Sequence, residues 1–196
     1  DCMSHIGVAK EISILTGNKI KKTNNSFKES SSNISNEIEI NIQNIKGCPR
    51  YGVRVIKGVK VEKSPDWMIS RLEQCGIRSL NSIVDISNYV LLELGHPLHI
   101  FDLDLLVGKT INIRSAIKNE KIVTIDGEKR ELSDTHLLIC DKQKPIALAG
   151  IMGGKNSEVT ENTTNILIES AYFDPVTIRR GAKLLSLSTE ASKRFE

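Results

Sequence analysis

The sequence predicts an α+β fold in which β-sandwich-like sheets carry flanking helices. Three observations point there. From Ile38 to about residue 170, short runs alternate apolar and polar residues with the period of half-buried strands. Capped helical stretches stand before, within and after that region, without the regular βαβ order of a doubly wound fold. The chain of 196 residues, 39% of them hydrophobic, is long enough to bury a core without staples. With one tryptophan, three tyrosines and four phenylalanines, aliphatic side chains must fill most of that core.

The elements follow in order. Residues 4–16, SHIGVAKEISILT, carry an apolar stripe at helical spacing (Ile6, Ala9, Ile12, then Ile14 or Leu15), and Gly17 is placed to end the helix. Residues 18–37 are rich in Ser, Asn and Lys and predict a linker or loop, so the main domain is placed at 38–196. EIEINI and YGVRVIKGVKV alternate as strands. Ser64-Pro65-Asp66 predicts an N-cap, a proline at the first helical position and an acidic first turn. A second helix runs from about Ser82 to Leu94 and stops at Gly95 before Pro97. Its circumference is mostly apolar, which predicts deep burial. KIVTI-DG-EKREL predicts a hairpin with Asp126-Gly127 in a type I′ turn. TINIRSA, HLLIC, PIALAGI and TNILIES predict further strands. Asp174-Pro175 then starts a helix over VTIRRGAKLL, and a last helix begins near Ser188. No internal repeat is evident.

Several function classes are excluded or disfavoured. No apolar run reaches the ~18 residues of a membrane helix, and no signal-peptide pattern opens the chain. Cys2, Cys48, Cys75 and Cys140 stand far apart with no C-x-x-C pair, as thiols of a reducing compartment do. His5 and His136 have no partner at metal-ligand spacing, and Pro97 keeps His96 and His99 off one helical face. A formal net charge of +3 permits nucleic-acid contact without indicating it. The chain opens on Asp1 rather than Met, the expectation for a piece of a longer protein.

Polar residues gather in IRSLNSIVDISNYVLLELGHPLHIFD, which holds Arg78, Asp85, Asn88, Glu93, His96, His99 and Asp102. Asp85, three residues after Ser82, reads as part of a capping box. Asn88 on an apolar helix is either an internal tie or a pocket group, because a buried amide must find partners. His99 among apolar neighbours is either a satisfied core residue or a polar group in a pocket wall. Gly153-Gly154 is a strand-end turn, or a turn whose amides face a pocket and hold an ester oxygen. It fits neither a dinucleotide-binding nor a P-loop pattern. Strand alternation sets Glu169 on the face of Leu167, so its carboxylate looks inward to a donor or ends the strand in solvent. Ser188, Thr189 and Ser192 sit at the start of the last helix, where Ser188 or Thr189 reads as its cap. No nucleophile elbow or H-E-x-x-H stands in the chain.

Taken together, CPRYGVRV, GIRSLNSIVDISNYVLLELGHPLHIFD, LAGIMGGKNSEV, ILIESAYFDPVTIRR and STEASKRFE resemble, in order and over about residues 48–196, the B3/B4 editing domain of the bacterial-type phenylalanyl-tRNA synthetase beta subunit. Residues 1–17 resemble the helical segment joining that domain to the preceding one. The resemblance implies a cytoplasmic pocket that hydrolyses tyrosyl-tRNA(Phe) by water attack on the aminoacyl ester. It implies His99, Asn88, Gly153 and Gly154 beside that ester. Arg78 is implied on the side of the tRNA end, Glu169 on the tyrosine hydroxyl, and Thr189 and Ala191 on the amino-acid side. No metal or cofactor is implied in this region. ATP and Mg2+ would serve the parent ligase, whose partners would be tRNA(Phe) and an alpha subunit in an α2β2 heterotetramer. A non-catalytic tRNA-binding or scaffolding domain is the alternative. Departures are mild: His96 stands where glutamine is common, and Glu190 where aspartate is.

Overall fold

A computed structural model describes residues 2–21 and 26–196; the stretch 22–25 of the expected linker lies outside the described residues. Helix α1 (His5–Thr16) starts where the Ser4 hydroxyl accepts the Gly7 amide and ends at Gly17, whose φ of 72° is left-handed. Strands β1 (Glu39–Ile42) and β2 (Arg50–Lys57) follow. Next come helices α2 (Asp66–Gln74) and α3 (Ser82–Leu94) and strand β3 (His99–Asp102). Six short strands continue the chain: β4 (Thr110–Ser115), β5 (Lys121–Val123), β6 (Lys129–Glu131), β7 (Leu137–Cys140), β8 (Pro145–Leu148) and β9 (Met152–Gly153). The chain closes with β10 (Asn165–Tyr172), α4 (Pro175–Leu184) and α5 (Glu190–Phe195).

Two sheets carry the molecule. A five-stranded sheet runs in the order β1-β4-β7-β8-β9, and a three-stranded sheet in the order β2-β10-β3. The pair β1–β4 is parallel; every other strand pair in the two sheets is antiparallel. One apolar cluster joins them. Ile111, Ile113, Ile139 and Leu148 enter it from the larger sheet, and Phe101, Leu167 and Ala171 from the smaller. Ile178 and Ala182 of α4 belong to the same cluster. The predicted α+β architecture, with sandwich-like sheets and flanking helices, is therefore the observed one.

Some local expectations need correction. The hairpin β5–β6 forms, but only Gly127 has positive φ, at 84°. Thr124 donates its amide to Glu128, giving a three-residue loop with a left-handed glycine rather than a type I′ turn. Asp126 is held out of the left-handed region by its own side chain, which accepts from the Thr124 hydroxyl and the Glu128 amide. Ser64 does not cap α2. The residue before that helix is Pro65, with no side-chain cap, while Ser64 turns inward. Helix α3 is less buried than its apolar circumference predicts, since Ile86 and Leu94 are about half exposed. The stripe of α1 likewise leaves Ile14 and Leu15 exposed.

Asp85 departs furthest from expectation. Asn81, not Ser82, caps α3 by accepting the amides of Ile83 and Val84. Asp85 is fully buried and gathers three donors: the hydroxyls of Ser64 and Ser79, each at 2.5 Å, and the Leu80 amide at 2.9 Å. A buried carboxylate is stable only when so furnished. It fixes the loop between α2 and α3 that carries Arg78.

Candidate functional site

The strand register builds the site. In the antiparallel pair β3–β10, His99 lies directly opposite Glu169, and on the other side of β10 Glu169 faces Val53. Side chains directly opposite in a sheet project from the same face. That face is the inner one, shared with Leu167 and Ala171, so Glu169 looks inward. A cavity of about 60 Å³ opens there, with His99, Glu169, Gly153 and Ala191 in its wall. Leu98, Leu148, Ile151 and Phe195 make the rest of its lining largely apolar.

Glu169 is 5% exposed, and its Oε2 accepts the Tyr51 hydroxyl at 2.7 Å. Among the described residues no donor serves Oε1, and that atom is not among their sealed, unpartnered ones. Burial raises the carboxyl pKa to about 7, and the Tyr51 hydrogen bond pulls the other way. Tyr51 itself is pushed well above the usual phenol range, chiefly by burial and then by the Glu169 charge. The carboxyl is thus an acceptor with one oxygen held by Tyr51, on a residue that lines the cavity.

Burial acts on His99 in the opposite direction and lowers its pKa to about 4, so the imidazole is neutral at pH 7. Its ring meets Phe101 edge-on at 4.4 Å. Gly153 explains how the ring fits. A Cβ on that residue would stand 2.4 Å from His99 Cε1 and 2.8 Å from Nε2. The glycine is there for close approach rather than for a turn. Gly154 must also be bare, because a Cβ would come within 2.5 Å of the Ile146 carbonyl.

The residues expected at the site fall into three groups. His99, Gly153, Glu169 and Ala191 are brought together in one wall. Thr189 stands behind it: its hydroxyl donates to Ile151 at 2.8 Å and accepts the Ser192 amide at 3.0 Å. It thereby caps α5 and ties Ala191 to the cavity, which agrees with the capping expectation and leaves no hydroxyl proton for a ligand. Gly154, Asn88 and Arg78 do not fit as expected. The Gly154 amide donates to Ile146 at 2.8 Å within the sheet, so it offers nothing to an ester oxygen. Asn88 is half-buried on α3 and does not line the cavity. Arg78 is exposed in the α2–α3 loop, outside the cavity.

Two lining or supporting residues escaped the sequence reading. Tyr51 shares the inward face of β2 with Val53 and Val55, and a phenol in an apolar row needs a partner. That signal was available in YGVRV. Phe195 packs on Phe173 at 5.1 Å and on His96 at 5.8 Å, a contact that no local pattern announces. His96 and His99 turn to opposite sides, and among the described residues no cluster of His, Cys, Asp and Glu suits a metal ion. Cys48 and Cys140 are buried free thiols, each pushed up to about 12 by burial. Among the described residues no helix is long and apolar enough to cross a membrane.

Comparison with known proteins adds the context. The profile of the B3/4 domain matches residues 47–196. The phenylalanine–tRNA ligase beta subunit of Protochlamydia amoebophila is 52% identical over 195 residues, and that of Geobacter metallireducens 49% over 196. Each match covers 100% of this chain and 24% of the relative, so the chain spans about a quarter of their length. An N-terminal fragment of the phenylalanyl-tRNA synthetase beta subunit from Pyrococcus horikoshii shares the fold. That likeness has a TM-score of 0.52 and covers 96% of this chain and 57% of that one, at 17% identity.

Proposed function

From the premise that this chain belongs to the B3/4 domain family and aligns throughout with phenylalanine–tRNA ligase beta subunits, we propose that it removes tyrosine wrongly esterified to tRNA(Phe). The observation that carries the reading is Glu169: a buried carboxyl group with one oxygen held by Tyr51, in the wall of a mostly apolar cavity. An apolar synthetic site rejects an analogue bearing one extra hydroxyl only weakly, by about 10²-fold. A site that must hydrogen-bond that hydroxyl rejects ligands lacking it by roughly 10⁴–10⁵-fold, because its polar group would otherwise stay unpaired. Glu169 has the environment for that second kind of recognition.

In the reaction, water adds to the aminoacyl carbonyl and the ester C–O bond breaks. Tyrosine leaves as the acid, and the terminal ribose oxygen takes a proton from the attacking water to become a hydroxyl. His99 is a neutral imidazole with a pKa of about 4, a hydrogen-bonding group for the water or the ribose rather than a strong base. No serine or cysteine stands against it in the cavity wall to serve as nucleophile. The cavity of about 60 Å³ has room for ordered water as it stands. It is smaller than the ~150 Å³ that admits benzene, so a phenol ring enters by displacing a wall. Phe195, on the six-residue helix α5, is the large side chain of that wall, and its displacement would make the room.

Arg78 would meet the tRNA outside the cavity. The parent ligase, with its alpha subunit, ATP and Mg2+, would supply the aminoacylation that this site corrects, in the cytoplasm. The committed Gly154 amide is the observation favouring a non-catalytic tRNA-binding role, since it removes one candidate oxyanion donor. One experiment separates the two. Tyrosine release is followed from tyrosyl-tRNA(Phe) and phenylalanine release from phenylalanyl-tRNA(Phe), using the assembled synthetase and its Glu169→Ala form. Editing requires fast release of tyrosine alone, lost in the variant. Equal rates for both esters in the unaltered enzyme sink the reading.

A further inference from the structure

The outer face of the β2–β10–β3 sheet has chemistry of its own. Alternation along β2 sends Tyr51, Val53 and Val55 to the core, and so turns Arg50, Gly52 and Arg54 outward. The register sets these against Tyr172, Ser170 and Ile168 of β10. Together with His96 they line a groove of about 490 Å³. None of its lining residues is acidic. Arg50 makes no ion pair among the described residues, and Arg54 has one, an exposed pair with Glu29. Tyr172 is 55% exposed.

We propose that this groove is a track for single-stranded RNA, and, resting on the reading above, that it guides the aminoacylated end of the tRNA to the cavity. Arg50 and Arg54 stand four residues apart on one strand, roughly 13 Å between Cα atoms, a spacing that suits successive phosphates of one chain. They address different phosphates of one chain. Gly52 and Ser170 keep the floor between them low. Tyr172, opposite Arg50, offers an exposed ring on which a base can stack, the combination single-strand sites use.

The track also has an outlet. Pairing of β3 with β10 ends at His99–Glu169, so Ser170 and Tyr172 lie past the end of β3. There the turn from His96 to His99 passes from one face of the sheet to the other. His96 walls the groove, while Pro97, Leu98 and His99 wall the cavity. The His96 ring leans edge-on against Phe195, which lines the cavity too. Its Nε2 is buried without a partner. A strand lying on the arginines therefore reaches the Glu169 pocket by crossing one corner.

The segment holding Phe27 and Glu29 already imitates such a ligand. Glu29 places a carboxylate on Arg54, and the Arg54 guanidinium lies 5.6 Å from the Phe27 ring centre. Both arginines are exposed, so neither is needed for the core.

The test uses the assembled synthetase and a short fluorescent single-stranded RNA, with anisotropy read across a salt series. Arg50→Ala/Arg54→Ala is expected to weaken binding by about tenfold or more near 0.1 M salt. The slope of log K against log salt should become shallower by about 1.4, from two lost contacts at ~0.7 each. Tyr172→Ala should weaken binding about tenfold with the slope kept, and Glu29→Ala should tighten it. Unchanged affinity and slope in the double variant overturn the track. So does a polyglutamate peptide of equal charge that binds as tightly as the RNA, since the groove would then be a site for acidic peptides. Release of tyrosine from tyrosyl-tRNA(Phe) is followed in parallel. If the unaltered enzyme releases none, the editing reading fails while the RNA series still judges the groove.

Discussion

His99 and Glu169 sit directly opposite one another on β3 and β10, side by side in one cavity wall, with burial acting on each in its own sense. The imidazole loses its proton readily, with a pKa of about 4, and the carboxyl holds its proton up to about 7. Between those values neither group carries charge. A mostly apolar cavity thereby keeps two hydrogen-bonding groups without two buried ions, and only the carboxylate ionises as pH passes neutrality.

That arrangement predicts a pH dependence of stability. The Glu169 carboxyl moves from an ordinary 4.5 to about 7 on folding. Between those values the folded protein keeps a proton that the unfolded chain has released. Stability therefore falls as pH rises through that window and levels off above it. The size is on the order of 3 kcal/mol. Urea unfolding of the native protein and Glu169→Gln from pH 5 to pH 8 should show the native form losing ground to the variant. Parallel curves would mean the carboxyl does not titrate there.

Tyr51→Phe removes the donor to Glu169 Oε2. It should cost about 1–3 kcal/mol, more above neutral pH than below, because the charged form loses most. Since that hydrogen bond holds the carboxyl down, its titration midpoint must rise above the present value of about 7. Carboxyl NMR titration reads this directly. A midpoint that falls or stays would detach Tyr51 from the site.

Which parts of this were legible in the sequence follows from how far apart the partners stand. Gly17, Gly95 and the Asp174-Pro175 start act within one helical turn, and each stands where the sequence puts it. Strand alternation likewise told that Glu169 faces Leu167's side. Pattern gives a period, however, and not a partner. Tyr51 lies 118 positions from Glu169, and Ser64 lies 21 from Asp85. β1 joins β4 in parallel across two intervening strands and two α-helices. Those meetings are decided by packing, so the capping role read for Asp85 gave way to a buried hub.

Gly153→Ala tests close approach. Its methyl would overlap the His99 ring, and overpacking of that kind costs about 1–3 kcal/mol. Displacing the ring should also slow tyrosine release by about tenfold or more. A double-mutant cycle with His99→Ala isolates the cause. If the clash is with the imidazole, the double variant is more stable than the sum of the two single losses predicts. Simple additivity would place the strain elsewhere.

Asp85→Ala should loosen the loop that presents Arg78. The carboxylate holds two hydroxyls and the Leu80 amide from a fully buried position, so its loss leaves three donors without an acceptor. Hydrogen bonds to charged groups contribute about 1.5–3 kcal/mol each and are not additive, so a loss of about 3–5 kcal/mol is expected. Helix α3 keeps its own cap through Asn81, so the damage should concentrate in the segment before it. Limited proteolysis of the assembled synthetase should then cut first between residues 76 and 81. If Arg78 works only when that loop is fixed, adding Arg78→Ala to Asp85→Ala changes tyrosine release no further, whereas Arg78→Ala alone slows it. Independent, additive effects on release would show that Arg78 acts from a mobile loop as well as from an ordered one.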